Sequence, residues 1–436
     1  MRRVGEMSRD TADPKAEQPP QWIEQGRESF EVKLDRAGTR EAAHPTRPEI
    51  NLLSPDFYVA PDSLYAWMRD HAPVYWDNIS GLWGIARYDD LMHVSKNWKT
   101  FSSAQGSRPE SSVPSMINFD PPEHNRRRGI ISAGFTPRRV QDHEPFLRQT
   151  VDDLIDRVIE RGECDFVRDI ATPLPMFMIG ELMGLPQADH AQLLEWSDLF
   201  ATGGDEVRED VGPAVQAYAT YISEKISARR GSDSEDLVSL AVNADLEGEP
   251  LSDVDLVFET MLVLVGGDET TRHVISGGLE ALLRHPSEMA KLRDDPSKLA
   301  TAIEEMLRWV TPIKNMNRTA TRDVELRGQR IREGDRLLLL YPSANRDAEV
   351  FEDPFRFNID RSPNQHVSFG GYGRHHCLGA QLARLEIRIL FEALLERVPD
   401  LELLRPDIHL PQRRGNFVLG IEEMPVRFTP ARRLRA

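Results

Sequence analysis

Ser368-Phe-Gly-Gly-Tyr-Gly-Arg-His-His-Cys-Leu-Gly379 is the most informative stretch of this 436-residue chain. Three glycines precede Cys377, and Gly379 follows it by two. Glycine permits positive φ and lets another group come close to the backbone. Downstream, Leu378, Leu382, Leu385 and Ile389 recur at helical spacing until Pro399 ends the run, so the cysteine stands at the mouth of a helix. A helix N-terminus with Arg374, His375 and His376 beside it favours thiolate over thiol. Such a sulfur suits a nucleophile or a metal ligand; the alternative is a buried structural cysteine, the ordinary fate of this residue. Cys164, in Arg161-Gly-Glu-Cys-Asp-Phe166, has no such surroundings and reads as that ordinary case.

Upstream, a long helix opens at Ser252 with Asp255 in the capping-box position, and runs to Arg284 before Pro286. About 30 residues at about 1.5 Å each give a rod of about 45 Å, long enough to cross a whole domain. Its centre, Met261-Leu-Val-Leu-Val265, is apolar on every side, which marks a buried helix. Gly266 and Gly267 follow, at a cost of about 1 kcal/mol each against alanine. Either something flat or close packs there, or the helix is locally distorted. Glu269 and Thr270 then form an acid–alcohol pair suited to relaying protons from solvent; the alternative is an exposed polar turn. A second helix begins after Pro296, carries Ile303-Glu-Glu-Met-Leu-Arg308 and ends before Pro312. It sets Glu305 and Arg308 on one face as an ion pair. Arg356, in Asp353-Pro-Phe-Arg-Phe357, is a candidate third member.

Strand patterns are few. Pro73-Val-Tyr-Trp76 and Leu82-Trp-Gly-Ile-Ala-Arg-Tyr88 flank Asp77-Asn-Ile-Ser-Gly81 as a hairpin. Val324 to Ile331 and Leu337-Leu-Leu-Leu-Tyr341 complete the strand signal. The fold class is therefore mostly α with small β-sheets (α+β), one large domain over residues 49–436 behind a flexible polar leader, 1–48. Lys+Arg 54 against Asp+Glu 71 gives −17, which argues against non-specific nucleic-acid binding. No apolar run approaches the roughly 20 residues of a membrane span. The leader lacks the apolar core of a signal peptide, and two cysteines suit a reducing compartment, so a cytoplasmic monomer is expected. In so acidic a chain, His124, Arg128, Arg318 and His375 are candidates to converge on a buried dianion, while Arg126 and Arg127 read as a solvated basic face.

The motifs, in this order, resemble the cytochrome P450 family of haem–thiolate monooxygenases. They are His124…Arg128, the long helix with Gly266-Gly-x-Glu-Thr270, Glu305-x-x-Arg308, Pro354-x-Arg356-Phe357 and the Cys377 loop. One departure is Gly370 seven residues before the cysteine, where the family usually has Phe; Phe369 lies one residue earlier. The resemblance implies that Cys377 is the axial thiolate of haem b and that Phe369 packs near the sulfur. It gives Gly373 and Gly379 the task of turning backbone N–H groups toward that sulfur. His124, Arg128, Arg318 and His375 hold the haem propionates. Glu269 and Thr270 deliver protons to dioxygen, with Gly266 giving it room, and Glu305, Arg308 and Arg356 form a structural triad. The resemblance also implies electrons from NAD(P)H through a ferredoxin reductase and a ferredoxin, for which Arg374, His376 and Arg384 are the candidate steering charges.

The segments expected to line the pocket are apolar, and Met116, Ile117, Val265 and Phe417 are its candidate substrate contacts. The stretches Arg161-Gly-Glu-Cys-Asp-Phe-Val-Arg-Asp169, Glu304-Glu-Met-Leu-Arg-Trp309 and Asn416-Phe-Val418 are similar to the actinobacterial steroid side-chain hydroxylases. That similarity implies oxidation of the terminal methyl of a sterol or 3-oxo-steroid. The alternatives are a fatty-acid, terpene or macrolide hydroxylase, and, in another class, a haem-binding sensor or electron-transfer protein without oxygenase activity.

Overall fold

The computed structural model describes residues 44–109, 113–202, 210–244 and 250–434. The expected leader lies outside the described residues up to 43. Within its last residues, His44 already accepts from the Trp76 N–H and Arg47 exchanges bonds with the Tyr75 hydroxyl.

The expected hairpin is β1 (Val74–Asp77) against β2 (Leu82–Ile85), with Tyr75 opposite Gly84. Asp77 accepts from the Ile79 and Ser80 amides and closes the turn. β3 is Phe101–Ser102, β4 Asn315–Ala320, β5 Val324–Leu326, β6 Gln329–Ile331 and β7 Arg336–Leu340. The main sheet runs β1-β2-β7-β4-β3, with β2 and β7 parallel. Two readings of the sequence change here. Asn315-Met-Asn-Arg-Thr-Ala320 is a strand despite its polar composition, because Asn315 and Asn317 spend their amides on Tyr58, Asn416 and Gly106. Val324 to Ile331 is two strands, not one. Arg327 and Gly328 take φ of 49° and 74°, the left-handed pair that a tight hairpin turn requires.

The helices that build the site are α1 (Glu123–Ser132), α2 (Pro173–Leu182), α3 (His190–Thr202), α4 (Asp253–Arg284), α5 (Leu299–Val310) and α6 (Ala380–Arg397). α4 starts on the expected capping box, with the Ser252 hydroxyl accepting from Asp255 N and the Asp255 carboxylate accepting from Ser252 N. It crosses the helical body, packed against α2, α3 and α5. The two mid-helix glycines have different explanations. A Cβ on Gly267 would stand 2.1 Å from Ile179 Cδ1, so glycine is what lets α2 approach. A Cβ on Gly266 meets nothing within 4 Å: the helix faces open space at its centre.

Apolar side chains of α2, α4, α5 and α6 form the main core, and a second core lies under the sheet. Among the described residues, no helix is long and apolar enough to cross a membrane.

Candidate active site

Cys377 sits three residues before α6. Its amide donates to the Phe369 carbonyl at 2.8 Å, which closes the loop. Atoms of the fold surround the sulfur on most sides, yet the residue remains accessible: it looks into an internal space. Burial pushes the thiol up, while the Gly379 N–H on the sulfur and the charges of Arg128 and Arg384 favour the thiolate. The Gly379 N–H is the backbone group that acts on the sulfur. At Gly373 a Cβ would lie 2.1 Å from the Ser95 carbonyl oxygen, so glycine is what lets the loop pack closely on the helix Tyr88–Lys96. Phe369 lies half-buried beneath the Arg384 guanidinium, 4.6 Å from its ring centre.

The four expected cations do converge. His124 and His375 stack edge to face at 4.4 Å. Arg128 donates to the His376 carbonyl at 2.7 Å, and buried Arg318 donates to the Asn317 carbonyl at 2.7 Å. His375 is pushed down to about 2, by burial first and then by Arg318, His124, Arg128 and Arg374. His124 is lowered too, mainly by burial, and its buried Nε2 has no partner among the described residues. Asp120 is the carboxylate that acts on both His124 and Arg318, and it is spent on Ser102 and Ser103. Two arginines beside two imidazoles that burial keeps neutral, one of them with an orphaned ring nitrogen, call for an anion.

Among the described residues, no three His, Cys, Asp or Glu side chains are placed to hold a bare ion. The cytochrome P450 family model matches residues 136–406. The chain belongs to the cytochrome P450 family. A steroid C26-monooxygenase of Mycolicibacterium smegmatis is 45% identical over 394 residues, 88% of this chain and 98% of that protein. A methyl-branched lipid omega-hydroxylase of Mycobacterium bovis is 36% identical, over 87% and 94% of the two chains. A Mycobacterium marinum P450 solved with pseudoionone superposes with a TM-score of 0.81 at 33% identity, over 89% of this chain and 100% of that one. A Bacillus megaterium P450 solved with testosterone gives 0.78 at 33%, over 85% and 99%.

The residues of this P450 fit haem. Cys377 offers one accessible sulfur, Gly266 leaves open space beside the long helix, and Arg128, Arg318, His124 and His375, which act on one another electrostatically, offer donors for carboxylates. The protein is a monooxygenase of the haem–thiolate class.

Three expectations need correction. The triad is Glu305, Arg308 and Arg361, not Arg356. Glu305 Oε1 accepts from Arg308 Nη2 at 2.8 Å and Oε2 from Arg308 Nε at 2.8 Å and Arg361 Nε at 3.1 Å. Arg356 is exposed and contributes its carbonyl, which accepts from both arginines. Arg361 stands five residues later, in Asn358-Ile-Asp-Arg361; only the fold shows which arginine turns inward. Arg361→Ala is expected to cost about 2–3 kcal/mol, the worth of buried bonds to a charge. Arg356→Ala stays within about 0.5 kcal/mol, as exposed substitutions do. Urea unfolding of the two variants separates them, and equal midpoints would restore Arg356.

Second, the basic face at Arg126 and Arg127 is not a solvated one throughout: Arg127 is buried. Third, two of the three candidate steering charges are weakened: one is paired and one is lowered by burial. Glu304 holds Arg384 with oxygens at 2.6 and 2.8 Å, and burial lowers His376. Burial opposes ionisation of Glu304, but Arg384 and His366 outweigh it and hold the acid down to about 2. Arg374 remains exposed, 5.2 Å over the Trp98 ring.

Glu269 and Thr270 face different neighbours. The Thr270 hydroxyl is half-buried beside Gly266 and donates to its carbonyl at 2.9 Å. Glu269 is fully buried, with Oε1 2.5 Å from Arg272 Nη2 and Oε2 2.6 Å from Arg413 Nη1. Both arginines also hold Asp198 of α3, at 2.9 and 3.0 Å. Burial raises the Glu269 acid, but His273, Arg272 and Arg413 win and keep it a carboxylate. Neither Glu269 oxygen bonds to Thr270. Of the apolar contacts, Ile117, Val265 and Phe417 stay half-open, while Met116 is packed into the main core.

Proposed function

We propose that this P450 hydroxylates the terminal side-chain methyl of a sterol or 3-oxo-steroid. The observation that carries the reading is 45% identity to a steroid C26-monooxygenase over nearly its whole length. The apolar, half-open side chains of Ile117, Leu262, Val265 and Phe417 support it, since a steroid presents mainly apolar surface. Bound haem supplies activation of dioxygen at the expense of two electrons.

The chain's own residues position the reaction and move protons. Thr270 holds a transferable proton at Oγ1 next to the space that Gly266 leaves. Glu269 stands one residue away, tied through Arg272 and Arg413 to half-exposed Asp198, which gives the acid a link toward solvent. Thr270→Ala should therefore divert electrons to peroxide. Product per NAD(P)H is expected to fall by at least about tenfold. That is less than the roughly 100-fold a positioned proton donor typically contributes, because water substitutes in part. Unchanged coupling would remove Thr270 from the relay.

The electron donor in this reading is a ferredoxin reduced by NAD(P)H through its reductase. It docks on the Cys377 face, where Arg374 is the exposed charge. We read the protein as a cytoplasmic monomer, on the strength of its net charge of −17 and two cysteines.

The substrate reading is tested by titrating the haem-loaded protein with cholest-4-en-3-one, a methyl-branched fatty acid and a straight-chain fatty acid. A saturable low-to-high spin shift with the steroid at the lowest concentration is the expected result. A shift given by the branched lipid alone would transfer the assignment to the lipid hydroxylase class.

A further inference from the structure

Arg127 is the most heavily used cation on α1. Its Nε lies 2.5 Å from Glu123 Oε1, its Nη2 2.6 Å from Asp255 Oδ1 and its Nη1 3.2 Å from Glu259 Oε1. Nη1 also donates to the Pro114 carbonyl at 3.1 Å, and the guanidinium lies 4.5 Å over the Phe119 ring. One side chain thus ties residues 113–119 to α1 and α4. The turn Met116–Asn118 in that segment carries Ile117.

The charge count does not balance: three carboxylates meet one guanidinium. Glu123 and Asp255 are 35% and 26% exposed and reach water. Glu259 is 0% exposed, and its Oε2 makes no hydrogen bond that meets ordinary geometry among the described residues. A proton is therefore held most cheaply at Glu259. Burial pushes the Glu259 acid up to about 7, against the Met116 N–H and Arg127, with Asp255 adding to the rise. The groups facing it are Asp255 on its own helix and Glu123 and Arg127 on α1, with Arg126 drawn to Glu123 at 3.0 Å. Residues 113–119 and the helix Leu237–Val242, which packs on both α1 and α4, carry no titratable side chain. Tyr218, from the helix Val211–Arg229, faces Thr260.

We propose that Arg127 and Glu259 are positioning residues that seat residues 113–119 over the distal pocket, and that the seat closes by binding one proton on Glu259. The part of this that concerns substrate rests on the reading of Ile117 as pocket lining. When the segment lifts, Glu259 meets water and its acid returns toward the ordinary carboxylate range. The closed form binds the proton more tightly, so closure is favoured by acid and weakens as pH rises from the ordinary carboxylate value to about 7, then levels off.

The test is hydrogen exchange of peptides spanning residues 113–119 in the haem-loaded full chain without substrate, at pH 6 and pH 8, corrected for intrinsic exchange. Wild type is expected to be about tenfold better protected at pH 6. Glu259→Gln, a neutral isostere of the protonated acid, should keep the pH 6 protection at both pH values. Glu123→Gln, on the exposed rim, should retain the wild-type pH dependence. Wild-type protection that ignores pH, or a Glu259→Gln protein that still responds tenfold, overturns the proposal. The same variants are then titrated with cholest-4-en-3-one. A tenfold gain in protection means that the closed form already dominates at pH 8, so wild-type Kd should change by less than about twofold between pH 8 and pH 6, as should that of Glu259→Gln. If no steroid binds while the exchange result holds, the seat stands and the substrate reading falls.

Discussion

Cys377→Ser in the haem-loaded protein is expected to abolish the carbon monoxide band characteristic of thiolate-ligated haem, and product formation with it. A serine hydroxyl has the size but not the chemistry. The Gly379 N–H, Arg128 and Arg384 are arranged to favour an anion at this atom against the cost of burial, and a neutral hydroxyl makes no use of them. A thiolate also donates electron density that favours cleavage of the O–O bond; an alcohol does not. The fold should survive, since the Cys377 N–H to Phe369 carbonyl bond is made by backbone and is unaffected. The checks are the reduced carbon monoxide difference spectrum, turnover, and far-ultraviolet circular dichroism as the control for folding. An unchanged band in the serine variant would remove Cys377 as the ligand.

Glu305→Ala is expected to be the most damaging single change to stability. The carboxylate accepts five hydrogen bonds: two from Arg308 and one each from the Asn358 N–H, Arg361 and Asn364. Arg308 is fully buried, and Arg361 nearly so. Both keep carbonyl partners, among them Asn345 and Pro354 for Arg308 and Glu352 for Arg361, but no other carboxylate bonds to either among the described residues. Removing one partner of a buried pair costs about 3–5 kcal/mol, and here two cations are stranded together. Against a typical domain stability of about 5–15 kcal/mol, that leaves little margin. Denaturant midpoints and the fraction of haem retained at 37 °C measure it. A loss below about 1 kcal/mol would mean that the cluster is not what holds α5 to the chain before Cys377. Glu305→Gln should fall between wild type and alanine, because the amide keeps the shape but not the charge.

Much of the site was legible in the chain. The Cys377 loop, the capping box at Ser252 and the glycine pair in an apolar helix are each local patterns with a local physical cause. Backbone conformation answers to neighbours a few residues away, and a glycine or proline advertises its constraint wherever it stands. The polar strand at Asn315 escaped that logic, since its hydrogen bonds go to Gly106 and Asn416, about a hundred or more residues distant. So did Gly373, whose reason is the Ser95 carbonyl.

Which charge meets which could be learned only from the folded chain. With 54 cations and 71 acids, pairing is decided by which side chains burial brings together, and burial is a property of the whole packing. That is why Arg361 rather than Arg356 completes the Glu305 cluster, why Arg384 is spent on Glu304, and why Arg127, one of three consecutive arginines, turns inward to three carboxylates. The chain by itself pointed to a cysteine in a glycine-rich loop and to a set of basic residues far apart in sequence. The tertiary structure decided the partners of its charged groups. A buried charge without a partner costs several kcal/mol, so each inward-turning side chain is selected by the groups that only long-range folding places around it.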